Sequence, residues 1–196
     1  MTFSPRFQCA LSAFDAYNES DPNVEEFNGE KFPKEVLYAQ RMTERLASYA
    51  PDAPEELHLA VRCQHIGRWE IGRKTFPDDR KGYLQWRSKL ALHHSAIAGR
   101  IMQECGYDHD MIGKVQFLLQ KKQLLQHHPL TQTLEDVICL VFIEYYLEDF
   151  AGAHDDAKVI DILKKTIRKM SSRALEHAQR LSLTPRVSTL VGAALA

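Results

Sequence analysis

Apolar residues recur with the period of an α-helix along nearly the whole chain, and no segment alternates convincingly as a half-buried β-strand does. The segment TLEDVICLVFIEYYLEDF, residues 133–150, is apolar around most of its circumference, which predicts a helix in the middle of the fold. Thr133 and Asp136 resemble a capping box, so we expect this helix to begin there. Asp108 has the sequence position of the N-cap of the preceding helix. The pattern therefore predicts an all-α protein.

The length of the chain, the positions of its prolines and the absence of a linker predict a single compact multi-helix domain over residues 1–196, with its core at about 5–180. A chain of 196 residues can bury a substantial core and lies within the usual range of one domain. Pro33, Pro51 and Pro54 separate helical segments. No internal repeat, low-complexity tract or Pro/Gly/Ser-rich linker divides the chain.

Charge, hydropathy and cysteine usage predict a cytoplasmic protein. The formal net charge of -1 provides no global attraction to nucleic acid or to a membrane, so we expect neither as a partner. The N-terminal sequence lacks the apolar core of a signal peptide, and the longest apolar run, VICLVFI, is too short to cross a bilayer. The scattered cysteines form no C-x-x-C pair, which predicts reduced thiols: Cys9, Cys63, Cys105 and Cys139.

Two histidines and one carboxylate interrupt apolar helix faces. His65 continues the stripe that Leu57 and Val61 begin, and His94 shares a face with aliphatic residues of its own helix. Glu144 interrupts the apolar run of residues 133–150, where it needs a cation, a hydrogen-bond partner or a raised pKa. The three residues suit a two-histidine, one-carboxylate metal site or a general acid/base cluster. Taken singly, either histidine is also compatible with a packed core residue, and Glu144 with a glutamate that pairs with a surface lysine.

The segment from residue 62 to residue 89 is the most basic part of the chain. It contains eight basic and three acidic side chains, an excess of five positive charges, together with both tryptophans. Guanidinium groups bind phosphate and carboxylate in a bidentate fork, and indole rings stack on bases and on guanidinium groups. We therefore predict an anion-binding site whose ligand-binding residues are Arg68, Trp69, Arg73 and Arg87. The alternative is a solvated basic loop that pairs with acids of other helices.

Several enzyme classes are disfavoured because their motifs do not occur. The sequence contains no G-x-x-x-x-G-K-[ST], no G-x-G-x-x-G, no G-x-S-x-G and no H-E-x-x-H. Phosphate-loop ATPases, Rossmann enzymes, α/β hydrolases and zincins are therefore not expected. Cys63 and Cys139 lie in apolar helical segments, which favours packed thiols over nucleophiles.

Five stretches together carry a resemblance to a known family: KEVLYAQRM, QHIGRWEIGR, GYLQWR, QTLEDVICLVFIEYYLEDFA and KKTIRKMS. Over about residues 5–180 the chain resembles a bacterial family described only as a domain of unknown function, with the motifs QHI-x-RW and GYL-x-WR. The order of inward polar groups is also similar to that of the HD-domain superfamily, which comprises helical metal-dependent phosphohydrolases. In that comparison Ile66 replaces the aspartate of the tandem His-Asp pair, and Glu35 or Tyr38 stands where an early histidine is expected.

The resemblance implies an HD-like fold and a ligand that is a phosphorylated small molecule or a nucleotide. If the protein is an enzyme, the resemblance implies a phosphohydrolase in which His65, His94 and Glu144 hold a divalent transition metal ion, with His65 and Glu144 as catalytic residues. The alternatives are a catalytically inactive binding or interaction module without metal, and an RNA-associated module, which the near-neutral charge disfavours. Lys165 and Lys169 either close the pocket or face solvent.

Overall fold

The computed structural model describes residues 4–195, and within this range the chain forms ten α-helices and one β-hairpin. The elements, in chain order, are α1 (Pro5–Asn18), β1 (Val24–Phe27), β2 (Glu30–Pro33), α2 (Lys34–Tyr49), α3 (Glu55–Arg62), α4 (Arg80–Glu104), α5 (His109–Leu119), α6 (Pro129–Val141), α7 (Leu147–Gly152), α8 (Asp156–Ile167), α9 (Ser172–Ala178) and α10 (Pro185–Leu195). A π-helical turn, Phe142–Tyr146, joins α6 to α7. None of these helices is long and apolar enough to span a membrane. The predicted single, mostly helical domain is confirmed.

Helix α6 lies at the centre of the fold, as its apolar circumference predicts. It contacts α2, α3, α5 and α9, and Leu134, Val137 and Leu140 are completely buried. The core also extends beyond residue 180, because Val187 and Leu190 of α10 are buried where that helix packs on α8. The C-terminal helix is therefore part of the same hydrophobic core.

The helix caps confirm one sequence prediction and correct another. The Oδ1 atom of Asp108 accepts a hydrogen bond from the backbone N–H of Met111 at 2.9 Å, which confirms the cap of α5. The capping box at Thr133 and Asp136 is wrong, because α6 begins one turn earlier, at Pro129. The Thr133 hydroxyl donates to the Pro129 carbonyl at 2.9 Å, and Asp136 is buried and accepts hydrogen bonds from outside the helix.

A short antiparallel hairpin, β1–β2, corrects the prediction that the chain contains no strand. Asn28 and Gly29 both have positive φ, 52° and 81°, as a two-residue turn of the type favoured by Asn-Gly requires. The hairpin is mostly exposed on both faces, so no alternation of apolar residues marks it. Arg41 of α2 attaches it to the core by an ion pair with Glu25 at 2.5 Å and by stacking over the Phe27 ring at 4.8 Å.

A disulfide bond between Cys9 and Cys105 joins α1 to the residue that follows α4. The two Cα atoms are 5.8 Å apart, within the range that a disulfide spans. The prediction of reduced thiols is therefore wrong for this pair, and the cysteine argument for a cytoplasmic location loses its support. Cys63 and Cys139 are free and buried. Burial raises the pKa of both thiols, which is consistent with the packed thiols that were predicted.

Substitution of Cys105 by serine is expected to destabilise the protein. The disulfide closes a loop with a sequence separation of 96 residues, so its loss restores conformational freedom to the unfolded chain and lowers the free energy of unfolding by about 2–4 kcal/mol. Denaturant unfolding with and without a reducing agent measures the effect. The reductant should destabilise the wild type and leave Cys105→Ser unchanged. A wild type that is insensitive to the reductant would contradict the prediction.

Candidate anion-binding site

Two adjacent cavities open between α2, the turn after α3, α4 and α6. The larger, which we call the basic cavity, has a volume of about 280 Å³, and the smaller, the side cavity, about 180 Å³. Five basic side chains and two carboxylates line the basic cavity: Lys34, Arg68, Arg87, Lys121 and Lys169, with Glu35 and Glu135. The two cavities share four lining residues, His65, Arg68, Arg87 and Lys121. Three cations therefore stand where the cavities meet.

Gly67 ends the turn that follows α3 and brings Arg68 to the same cavities as His65. It has φ 65°, in the left-handed region, and a Cβ atom there would lie 2.7 Å from Cδ1 of Ile97. Its backbone N–H donates to Oδ1 of Asn18 at 3.3 Å. After this turn Arg68 folds back against His65, and its guanidinium stacks over the Trp86 ring at 4.9 Å. The glycine thus positions the first arginine of the site.

His65 is a neutral ring held between Arg68 and Glu35. Nη1 of Arg68 donates to Nε2 of His65 at 3.2 Å, so the ring proton lies on Nδ1, which is 3.3 Å from Oε2 of Glu35. The Tyr38 ring stacks on the imidazole with 4.0 Å between ring centroids. Burial and the Arg68 charge lower the pKa of His65 well below its ordinary value. This histidine is an inward residue, as its place on the stripe predicts.

Glu35 is the carboxylate that the fold places beside His65. Its side chain is only 7% exposed, and Oε1 lies 3.8 Å from Nε of Arg68. Burial raises the pKa of Glu35 to about 7, against the opposing effect of the Arg68 charge. Its Oε2 atom makes no well-aligned hydrogen bond among residues 4–195, although Nδ1–H of His65 lies 3.3 Å away. The cavity therefore presents a carboxyl oxygen that can accept a further hydrogen bond.

Glu135 of α6 anchors two of the cations. It is 3% exposed, forms an ion pair with Lys121, and lies 3.6 Å from Nζ of Lys169. Burial alone would raise the pKa of Glu135, but the charge and hydrogen bond of Lys121 lower it more, so the carboxylate is ionised. Lys121 itself has φ 52° just beyond the end of α5, a conformation that is rare outside glycine. Lys169 lines the cavity, whereas Lys165 pairs with Asp161 on the exposed face of α8.

Arg87 makes no direct contact with a carboxylate of the described chain. It is half-buried on α4 and lines both cavities. Across residues 4–195 it has no hydrogen bond, ion pair or aromatic partner, whereas Arg68 contacts Glu35 and Trp86, and Lys121 contacts Glu135. Its charge acts on Glu135 only at longer range, where it helps to lower the pKa of that carboxyl. A guanidinium group that is partly removed from water and has no paired counterion is available to bind an anion.

The residues predicted to bind a metal do not come together. His65 and His94 are neighbours, with 5.9 Å between ring centroids, but Glu144 lines neither cavity and forms an ion pair with Arg45. Phe142 and Tyr146, the first and last residues of the π-helical turn, line the basic cavity, and the glutamate midway between them contacts Arg45 of α2 instead. Arg45 is the cation that a glutamate in this apolar segment was expected to need. Within residues 4–195 no group of three or more metal-ligating side chains has the geometry to hold an ion.

His94 lines the side cavity and is 4% exposed. Its Nδ1–H donates to the backbone carbonyl of Ile66 at 2.6 Å, which leaves Nε2 as an acceptor. Burial lowers the pKa of His94 to about 3. The prediction that His94 points inward therefore holds, and the ring is neutral at physiological pH.

Two of the four predicted ligand-binding residues line the cavities, and two do not. Arg68 and Arg87 line both cavities, whereas Trp69 lines neither and packs against the ring of Tyr17 at 6.1 Å. Arg73 donates to the backbone carbonyls of its own loop, including that of Pro77 at 2.8 Å. The basic segment thus divides between residues that line the cavities and residues that stabilise their own loop, and anion binding stays a prediction.

The sequence reasoning missed several residues that complete the site. Gln64, Lys121 and Glu135 all line the cavities, and nothing in their local sequence distinguishes them. Lys121 lies in the turn after α5 and Glu135 lies in α6, so no helical period relates them. Gln64 directly precedes His65, and the helical pattern of the segment marks only the histidine as inward.

A mostly helical domain with a cation-rich cavity is therefore the class that the fold and the site define. The chain belongs to the family described as a domain of unknown function, DUF4202, whose model matches residues 8–191. This confirms the expected membership of a domain-of-unknown-function family. No curated protein and no solved structure matches the chain. The HD-like character of the fold stays a prediction.

Glu135→Gln is expected to destabilise the protein by about 3 kcal/mol, because removal of one partner of a buried ion pair leaves the other charge uncompensated. Lys121 and Lys169 would both lose their carboxylate. Denaturant unfolding at neutral pH measures the loss. The matched control is Asp161→Asn, which breaks the exposed pair with Lys165 and should change stability little. Equal effects of the two substitutions would show that Glu135 does not anchor the cavity.

The stability of the wild type should fall on acidification through His94. The ordinary pKa of 6.5 applies to the unfolded chain and the lowered value of about 3 to the folded one, so the unfolded state binds the extra proton between these values. This stabilising contribution is complete above the unfolded pKa and is lost as the pH falls. Between about pH 7.5 and about pH 5 the wild type should lose about 2 kcal/mol relative to His94→Gln.

Urea unfolding of both proteins across this pH range measures the difference. His109→Gln, at an exposed position, is the control. A wild type and a His94→Gln variant with parallel pH profiles would show that the buried ring does not resist protonation.

Proposed function

We propose that this protein binds a phosphorylated small molecule or nucleotide in the basic cavity, with Arg87 as the principal contact to the phosphate. The observation that carries the proposal is the position of Arg87. Its guanidinium lies where the two cavities meet and has no hydrogen-bond or ion-pair partner among the described residues. A guanidinium binds phosphate through two parallel, charge-assisted hydrogen bonds, and its charge does not depend on pH in the physiological range.

The surroundings of Arg87 support phosphate as the anion. Arg68, Lys121 and Lys169 lie around the same cavity, and the two carboxylates that line it leave an excess of positive charge. The tetrahedral phosphate group can accept hydrogen bonds from several of these cations at once. The volume of about 280 Å³ is at the lower end of the range for small-molecule sites, which favours a compact ester.

Hydrolysis of the bound ester stays a prediction. The described residues do not fit the two-histidine, one-carboxylate metal site that an HD-like phosphohydrolase would need. Arg68 occupies Nε2 of His65, and Arg45 holds Glu144 away from the cavity. Binding without turnover and without metal is the function that the geometry supports best. Metal analysis of protein purified without chelator, with His65→Ala and Glu144→Ala in parallel, tests the hydrolase alternative directly.

Arg87→Gln is expected to abolish most of the stabilisation that phosphate compounds confer. Inorganic phosphate and nucleoside monophosphates should raise the melting temperature of the wild type, because a ligand that binds only the folded state stabilises it. Loss of the guanidinium should weaken binding about 10- to 100-fold, as expected for charge-assisted hydrogen bonds. Thermal shift and titration calorimetry measure these effects.

The matched control is Arg73→Gln, which removes a guanidinium of the same basic segment that lines neither cavity. It should keep the full phosphate response. A wild type that responds to none of these compounds at millimolar concentration would overturn the proposal. An equal loss in both variants would show that the response reflects general charge and not the cavity.

A further inference from the structure

We propose that the ligand of the basic cavity is the phosphate ester of a polyhydroxylated compound, a sugar phosphate in class, whose hydroxyl groups pair with Glu35, Tyr38 and Gln64. The inference rests on the proposed function, because it assumes that Arg87 binds the phosphate. It adds the chemistry of the remainder of the ligand.

Four residues that line the cavities have a buried polar atom without a well-aligned hydrogen bond among residues 4–195, and one of them, Tyr146, is half-buried with its ring against the Arg41 guanidinium. The other three atoms belong to more deeply buried residues. They are Oε2 of Glu35 and the Tyr38 hydroxyl in the basic cavity, and Oε1 of Gln64 in the side cavity. Each of these residues is less than one-tenth exposed, at 5%, 8% and 4% respectively. Buried polar groups are nearly always hydrogen-bonded in folded proteins, since an unpaired one costs stability. Their concentration around one pair of cavities indicates that a ligand supplies the missing partners.

The chemistry of these atoms restricts what the ligand carries. Oε1 of Gln64 can only accept a hydrogen bond, an ionised Glu35 can also only accept, and the Tyr38 hydroxyl can do either. The ligand must therefore present a donor to Gln64, and groups that both donate and accept suit Glu35 and Tyr38. Amino groups that carry a positive charge would be repelled by the surrounding cations, whereas a hydroxyl group is neutral, donates and accepts. A purely alkyl or aryl group would leave all three atoms unpaired.

The placement of the three atoms fits a short ester that is anchored at its phosphate. Arg87 and Lys121 line both cavities, so a phosphate bound there stands at their junction. Glu35 and Tyr38 line the basic cavity from α2, and Gln64 lines the side cavity from the turn after α3. A polyhydroxylated ester that is anchored at the junction would present hydroxyl groups to both cavities. With about 280 Å³ available, the basic cavity accommodates a sugar phosphate more readily than a dinucleotide.

The test compares pairs of phosphate esters that differ only in their hydroxyl groups. The pairs are glucose 6-phosphate against cyclohexylmethyl phosphate, and glycerol 3-phosphate against propyl phosphate, with inorganic phosphate as the reference. Calorimetric titration of the wild type should show tighter binding of the hydroxylated member in at least one pair, by about tenfold, since each new hydrogen bond to a buried group contributes several-fold. Hydroxylated esters that bind no more tightly than their alkyl partners would overturn the inference.

Two variants assign the preference to the named atoms. Tyr38→Phe removes only a hydroxyl group and keeps the ring that stacks on His65, and Gln64→Met keeps the side-chain length. Each should reduce the preference for the hydroxylated ester about fivefold and leave the affinity for inorganic phosphate unchanged. Because the atoms that they remove are unpaired in the free protein, both variants should fold. The matched control is Tyr145→Phe, whose ring lines neither cavity and which should keep the preference.

The results separate this inference from the proposed function. Binding of inorganic phosphate without any preference for hydroxylated esters would leave phosphate binding intact and overturn the sugar-phosphate class. If neither inorganic phosphate nor any ester binds, both fail. A preference that survives in Tyr38→Phe and in Gln64→Met would show that other atoms recognise the ligand, which also overturns the inference.

Discussion

The burial of charge beside α6 is the constraint on which the rest of the site depends. Glu135 is almost fully enclosed, and a carboxylate in that position requires cations within reach, which Lys121 and Lys169 provide. These two lysines come from different parts of the chain, so their ion pairs also fix the end of α5 and the end of α8 against α6. The cations outnumber the carboxylates around the cavity, and Arg87 is one that forms no ion pair with them. The same electrostatic balance that holds these elements together thus supports the anion binding that we propose.

The helical part of the fold and the inward histidines could be predicted from the sequence because both depend on local periodicity. His65 and His94 share a face with buried aliphatic residues, and the period of 3.6 residues reveals this without any knowledge of the tertiary structure. The inward position predicted for Glu144 rests only on the apolar circumference of its helix, and the structure instead pairs it with Arg45 of α2. A helix that is apolar on most sides does not indicate which way a single carboxylate faces.

Other features could not be predicted because they depend on contacts between residues far apart in the chain. The pairing of Lys121 with Glu135 and the disulfide between Cys9 and Cys105 have no signature in local spacing. The hairpin is hard to predict for another reason. Its Asn-Gly turn is a recognised hairpin signal, but its exposed strands lack the alternation of apolar and polar residues that predicts a strand. The family match over residues 8–191 confirms membership and leaves the chemistry of the cavity to direct experiment.

The disulfide also has a consequence for ligand binding. Helix α4 carries Arg87 in its first half, and Cys105, at its other end, is covalently attached to α1. In the first turns of α4, the indole N–H of Trp86 donates to the Ile71 carbonyl at 2.8 Å. The helix is therefore restrained at both ends. If the cavity binds phosphate as we propose, a guanidinium on such a helix is already in position, and little conformational entropy is lost on binding. The covalent bond would then contribute to affinity through preorganisation, at a site that it does not touch.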